Sequence, residues 1–414
     1  MPEQFLLHNL NLVDATRDSA LPSAAVWVRE NIIAAAGPET EVRDQIGENL
    51  PNEIDMGGRY VSPGLINMHT HLSLSLPGPR GALVKGMNDF ELALYMADGA
   101  ARTLQNGVTT IRCVGEKRHA DFALRAAIES GYVPGPRIFT AGRPLSCTGG
   151  HGHTSSGALE CDGATEFRRG VRQQVKAGAD LIKIMISGGI SGQHETITTR
   201  QVTVDELESA ISTAHDWGKK VTAHAGPSGI IAEAVKFGLD CVEHGYELTD
   251  EVTDLMAAND CALVPTLVVT RCKPFFDELG VPEWMQQRSL GAGDRHLASY
   301  RSALKSKVTV MLGSDMPPFW KFEGTSAVVR ELEHMSENGL GPQATLAAAT
   351  LVPATWLGAG EQIGSIQAGK FADLIATDGD PSTDTSTYRT LSWVMKDGNI
   401  ARDDFASSVR EFSA

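Results

Sequence analysis

The chain has no paired cysteines, no long apolar run and no excess of basic residues, and each absence removes a class of function. Its six cysteines (Cys113, Cys147, Cys161, Cys241, Cys261 and Cys272) are scattered and none forms a C-x-x-C pair, which argues against a thiolate zinc site or a dithiol redox centre. So few thiols in a chain of this length fit a reducing compartment, and a cytoplasmic location is expected. No apolar stretch reaches the roughly 18 residues that would suggest a membrane span. The opening MPEQFLLHNL lacks a basic segment followed by a long apolar one, so no secretory signal is expected. A formal net charge of -15 speaks against nucleic acid and anionic membrane surfaces as partners. Repeats of 20 to 50 residues, low-complexity tracts and a glycine-rich phosphate loop after a strand are also missing, which disfavours solenoids, disordered linkers and dinucleotide folds.

The 414 residues, 42% of them hydrophobic, exceed what one compact domain usually needs. Residues 1 to 60 read as short strands and turns, as in FLLHNLNLVD, AAVWVREN and NIIAAAGP. From Val61 the texture changes. Eight short apolar segments (VSPGLINMHTH, GVTTIRCVG, PRIFTAG, ADLIKIMISGG, KKVTAHAG, CVEHG, ALVPTL and VTVMLGSD) alternate with amphipathic stretches such as DELESAISTAHDWG. Strand and helix in alternation mean parallel βα units, and eight of them predict an α/β fold of the (β/α)₈, or TIM, barrel type over residues 61–359. After about residue 360 short strands return, so residues 1–60 and 360–414 are expected to pair into a small composite β-sandwich domain.

The strand period of two then decides which side chains face inward. His69 and His71 share one face at the end of the first segment. Ile182, Ile184 and Ile186 lie on the face opposite Lys183; isoleucines suit the helix-covered outside of a barrel, which leaves Lys183 inside. By the same count His224 opposes Ala223 and Ala225. His244 falls near the end of CVEHG and Asp315 closes VTVMLGSD. All six polar residues sit near C-terminal strand ends, where barrel active sites are built. Imidazole and carboxylate together are ligands for a borderline divalent metal with positions left open to water. Singly, each residue has an ordinary explanation: a hydrogen-bonded histidine, a helix-capping aspartate, a lysine stretched to the surface. Six converging on one barrel mouth do not. The lysine is the odd member, because an ammonium repels a metal; it fits only if neutral or converted to an anion.

The motifs PGLINMHTHL, LIKIMISGG, VTAHAG, EHG and GSD, with GSIQAGKFADLIATDGDP near the end of the chain, resemble the amidohydrolase superfamily. Within it the chain is most similar to the branch of Xaa-Pro dipeptidases (prolidases), carboxypeptidases for basic residues and ochratoxin-hydrolysing amidases. The resemblance implies two divalent metal ions per chain, Zn2+ being the expected ion. His69, His71 and Asp315 would hold the buried one, His224 and His244 the more exposed one, and Lys183, carboxylated by CO2, would bridge them. It implies a metal-bridging hydroxide as nucleophile, Asp315 as the group that carries its proton to the leaving amine, and a metal that polarises the scissile carbonyl. The implied substrate is a small-molecule amide whose leaving group bears a free carboxylate: an Xaa-Pro dipeptide, an N-acyl amino acid or an ochratoxin A-like amide. A carboxylate needs donors, and His151, in the loop Gly149–His153, and Tyr246 are the candidates for substrate contacts. Gln193-His194-Glu195 departs from the proline- and aspartate-containing loop expected of relatives. Phe319, Trp320 and Phe322 are candidates either for an aromatic pocket or for core. An arylurea, carbamate or cyclic-amide hydrolase is the alternative. A homo-oligomer is expected from the resemblance.

Overall fold

The computed structural model describes residues 4–47 and 51–405, so parts of the expected terminal domain, residues 1–3, 48–50 and 406–414, lie outside the described residues. The molecule is mixed α/β. Its two ends come together through one pairing: Tyr60–Pro63 runs antiparallel to Leu374–Thr377, in the register Pro63↔Leu374 to Tyr60↔Thr377. Around that seam the strands Gln4–Leu12, Leu21–Arg29, Ile32–Pro38, Asn52–Asp55, Trp393–Lys396 and Asn399–Asp403 complete one eight-stranded sheet. One face buries Leu7, Val26, Val61, Leu374 and Trp393. The pairing joins the strands of the expected sandwich into a single hydrogen-bonded sheet. Two features account for this. Gln4–Leu12 pairs in parallel with both Asn52–Asp55 and Tyr60–Pro63, which keeps the hydrogen bonding continuous. The face carrying Leu6, Ala25 and Trp27 is covered by Val42 and Ile46 of the helix Glu39–Ile46, so no second sheet is needed to keep it from water.

The middle of the chain alternates parallel strands with helices. Leu65–Thr70, Val108–Cys113 and Arg137–Thr140 form one three-stranded arc; Leu145–Ser146, Leu159–Glu160, Ile182–Met185, Val221–Pro227, Cys241–Glu247 and Ala262–Val264 form a second, six-stranded arc. Regular pairing does not run through a closed eight-stranded ring. The arcs are joined by isolated backbone bonds: Asp180 N–H donates to Thr140 O at 2.8 Å, Leu263 N–H to Thr309 O at 2.8 Å and Met68 N–H to Leu312 O at 2.7 Å. The expected eighth strand, VTVMLGSD, therefore lies between Ala262–Val264 and Leu65–Thr70 but makes only a single bridge, Leu263↔Val310. The reason is local. Gly313 approaches so closely that a Cβ there would stand 2.3 Å from Val264 Cγ1 and 2.7 Å from His69 Cβ, and Asp315 adopts φ +54°, off the extended path a ladder requires.

Ile182, Ile184 and Ile186 pack outward with Phe167, Val171, Leu207 and Ile211 of the flanking helices, the helix-facing side that their alternation with Lys183 implies. Among the described residues no helix is long and apolar enough to cross a membrane.

Candidate active site at the strand ends

The strand Leu65–Thr70 carries His69 to its end, and Asn67 fastens it there. Asn67 Oδ1 accepts from His69 N–H at 3.0 Å, its Nδ2 donates to Ser314 Oγ at 2.8 Å, and Asp315 N–H donates to His69 O at 2.8 Å. The histidine strand and the aspartate segment are thus locked side by side. His69 Nε2 lies 3.0 Å from Asp315 Oδ1 and His71 Nε2 lies 3.3 Å from the same oxygen. Behind them His71 Nδ1 donates to Gly115 O at 2.7 Å. Glu116, fully buried, accepts the N–H groups of Leu72 and Ser73 at 2.6 and 2.8 Å, which holds the chain as it leaves the strand. Among the described residues, His69, His244 and Asp315 have possible ligand atoms all within 4.8 Å of one another, a grouping able to hold a metal ion.

Three residues at the site, His244, Thr266 and Asp315, hold left-handed backbone. His244 has φ +68° and Asp315 φ +54°, left-handed conformations that cost a non-glycine residue of order 1 kcal/mol or more and persist only where the surroundings impose them. At His244 the result is that consecutive residues both serve the interior. Glu243 Oε2 accepts from His69 Nδ1 at 2.7 Å, while Glu243 Oε1 binds the Arg112 guanidinium and the Thr222 hydroxyl. His244 itself pairs through Nδ1 with Thr266 Oγ1 at 2.7 Å. Simple alternation places 243 and 244 on opposite faces, so Glu243, Arg112 and Thr266 escape a reading of the sequence. The available signal was a charge inside each of two otherwise apolar strand segments, GVTTIRCVG and CVEHG.

Electrostatics follow from burial and neighbours. Burial opposes the charge on Glu243, but Arg112, Lys183 and His69 hold its carboxyl well below the usual range. Asp315 is likewise kept ionised, against burial, by His69 and His71. Burial pushes His224 and His244 well below the ordinary imidazole value. That favours the neutral form, the form in which imidazole ligates a metal. Lys183 is fully buried, its Nζ has no hydrogen-bond partner among the described residues, and burial brings it down to about 8.

One cavity of about 60 Å³ is lined by His69, His71, His151, Lys183, His224, His244, Tyr246 and Asp315 together. His151 stacks on His224 with centroids 4.0 Å apart, and Tyr246 stacks on His244 at 5.0 Å and 8°. The remaining wall is largely apolar, with Leu74, Ile190, Val269, Phe276 and Met285. Gly149, Gly150, Gly152 and His153 instead line a larger outer cleft of about 620 Å³ beside it. Phe319 and Trp320 do not reach the cavity: Trp320 packs on Phe275 at 5.2 Å and Phe319 under Arg102 at 4.3 Å, so both are core. The side chain of Phe322 lies outside the described residues. Phe276 and Tyr246 are the aromatic residues at the cavity.

A cluster of buried imidazoles and a carboxylate at parallel strand ends, open to a small, largely apolar cavity, is where an enzyme's active site is expected. The amidohydrolase family pattern matches residues 60–402, and the chain belongs to that family. It is 28% identical to ochratoxinase of Aspergillus niger over 92% of this chain and 83% of the relative. Among solved structures it is similar to a Xaa-Pro dipeptidase with bound methionine in the active site (30% identity, TM-score 0.86, covering 97% of this chain and all of the other). It shares its fold with phenylurea hydrolase B (21% identity, TM-score 0.79, 96% of each chain). It is a hydrolase acting on amide bonds.

Proposed function

We propose that the chain is a binuclear, metal-dependent amidohydrolase that releases an α-amino or imino acid with a free carboxylate from dipeptides or N-acyl amino acids, ochratoxin A-like amides included. The observation that carries this reading is Lys183. A buried ammonium with no partner is costly. An amine lowered to about 8 and ringed by histidines suits conversion to a carbamate, an anionic oxygen ligand. The donor set therefore fits two divalent cations, taken as Zn2+: His69, His71 and Asp315 for one, His224 and His244 for the other, and carboxylated Lys183 between. Bound there, the ions would supply Lewis-acid activation of water and of the amide carbonyl.

The chain's own groups do the rest. Asp315 Oδ1 sits between His69 and His71, whereas Oδ2 is 3.9 Å from His244 Nδ1 and is the freer oxygen, so Oδ2 takes the proton of the attacking water and delivers it to the leaving amine. Glu243 orients His69 through Nδ1, opposite the Nε2 that meets Asp315, and Thr266 orients His244 through Nδ1. His151 Nε2 and the Tyr246 hydroxyl have no hydrogen-bond partner among the described residues and serve the substrate carboxylate. The apolar wall takes an uncharged acyl or side-chain group. The two arcs and the Val308–Asp315 segment together supply the (β/α)₈ ring of residues 61–359, with 1–60 and 360–414 as its companion domain. By kinship we also read the chain as a homo-oligomer, which light scattering at micromolar concentration checks, and its few scattered cysteines suit a cytoplasmic home.

The test is a hydrolysis screen of the zinc-loaded protein against dipeptides and N-acyl aromatic amino acids, each as the free acid and as its C-terminal amide, with metal analysis alongside. Two ions per chain are expected. The free acid should be favoured at least about a hundredfold in kcat/KM, roughly 2.7 kcal/mol. At most one ion per chain in active protein refutes the binuclear site. Equal turnover of acid and amide refutes the carboxylate pocket and moves the substrate to arylureas, carbamates or cyclic amides.

A further inference from the structure

Beyond the strand Ile182–Met185 the chain runs Ser-Gly-Gly-Ile-Ser-Gly-Gln-His-Glu to Glu195, and its three glycines are close approaches. A Cβ on Gly189 would stand 2.3 Å from His151 Cε1, one on Gly188 2.3 Å from Thr196 O, and one on Gly192 2.1 Å from Glu195 Oε1. At these three positions the loop is wrapped against its neighbours, His151 and Glu195 among them, with no space for a side chain. Glu195 is buried. Its Oε1 accepts from His151 Nδ1 at 2.5 Å and its Oε2 from Gln201 Nε2 at 2.6 Å, while Gln201 Oε1 accepts from the His151 backbone N–H at 2.9 Å.

These three bonds close a ring that determines both the backbone and the imidazole of His151. A carboxylate only accepts, so Nδ1 donates to Glu195, and Nε2 donates in turn to a substrate carboxylate when the ring carries both hydrogens. One face of the imidazole meets His224, with an interplanar angle of 21°, and Gly189 lies against the ring as well. Every rotation of the side chain is thereby settled, and Nε2 is left uncommitted at the cavity. The pair also spans a boundary: His151 lines the inner cavity and Glu195 the outer cleft.

We propose that Glu195 and Gln201 are positioning residues that act on the substrate through His151, aiming Nε2 so that the amide is aligned against Asp315. This rests on the reading of the cavity as an amide-hydrolysing site. A loop that merely folds around a buried acid would not tie the same acid to a cavity histidine and tie that histidine's backbone to the acid's second partner. The cost of misalignment falls on the chemical step, because small displacements of a reacting group lower rate more than binding.

The experiment is a double-mutant cycle. Glu195→Gln is made alone and in a His151→Ala background, and kcat and KM are measured separately on the best amide from the screen, with metal content and Tm alongside. Glu195→Gln should lower kcat/KM at least about tenfold, mostly in kcat, and should cost nothing further once His151 is alanine. An equal loss in both backgrounds, or a loss that follows metal content or Tm, overturns the proposal. A crystal structure of Glu195→Ala without substrate gives a second reading: the His151 ring should leave its stack on His224, and a ring still in place overturns the proposal. Should the parent chain hydrolyse no amide, the functional reading of the cavity fails, while the crystal structure still decides whether Glu195 positions His151.

Discussion

In the terminal sheet, Leu7, Val26, Val61, Leu374 and Trp393 meet on one apolar face. At the ends of the parallel strands, Arg112, Lys183, Glu243 and four histidines are buried, and the Lys183 ammonium has no hydrogen-bond partner among the described residues. Both regions are built from short strands of similar length. They differ in what burial does. In the sheet, removing apolar surface from water stabilises at roughly 25 cal/mol per Å². At the strand ends, burial works against nearly every group it encloses and is tolerated only through paired partners. The sheet reads as the part that supports the fold, and the site as the part the fold must support.

That contrast can be broken by substitution. The largest effect is expected from Asp315→Asn, which keeps the shape but accepts no proton at neutral pH. Its rate should fall by about three orders of magnitude or more with circular dichroism unchanged, and retention of a tenth of the rate would take proton transfer away from Asp315. Next, Trp393→Ala empties a fully buried site in the sheet core and should cost about 4 kcal/mol in denaturant unfolding. kcat/KM at a temperature where the variant is folded should not change, and a parallel fall would mean that sheet and site are not independent. Glu243→Gln leaves Arg112 buried without its counter-charge. About 3 kcal/mol of stability should be lost, together with a tenfold to hundredfold weaker hold on metal by competition with a chelator. The smallest change in stability has the opposite sign. Lys183→Met replaces an unpartnered buried ammonium by an apolar group of similar length, and in metal-free protein Tm should rise by the equivalent of about 1 to 2 kcal/mol while activity disappears. A lower Tm would show that Lys183 has a partner and would remove the main support for its carboxylation.

The alternation of apolar strand segments with helical stretches, and the polar residue closing each segment, could be read directly. A strand has period two and a barrel strand has one helix-covered face, so Lys183 opposite three isoleucines has a definite side. By the same logic His69 and His71 fall together. Phe319 and Trp320 were ambiguous because aromatic residues suit a pocket and a core equally, and only packing on Phe275 and Arg102 separates the two.

Sequence alone determined the alternation of strands and helices, the inward face of strands that keep a strict period of two, and the residue types near the strand ends, because these depend on local period and composition. Tertiary structure decided the rest. It made the terminal segments one sheet under a helix, left VTVMLGSD without a regular ladder, turned Glu243 inward beside His244, and brought Glu195 and Gln201 to His151 across 44 and 50 residues of chain. None of these has a local signal. Each depends on two segments remote in sequence meeting at hydrogen-bond distance, and on a backbone strained or stripped of side chains so that they can.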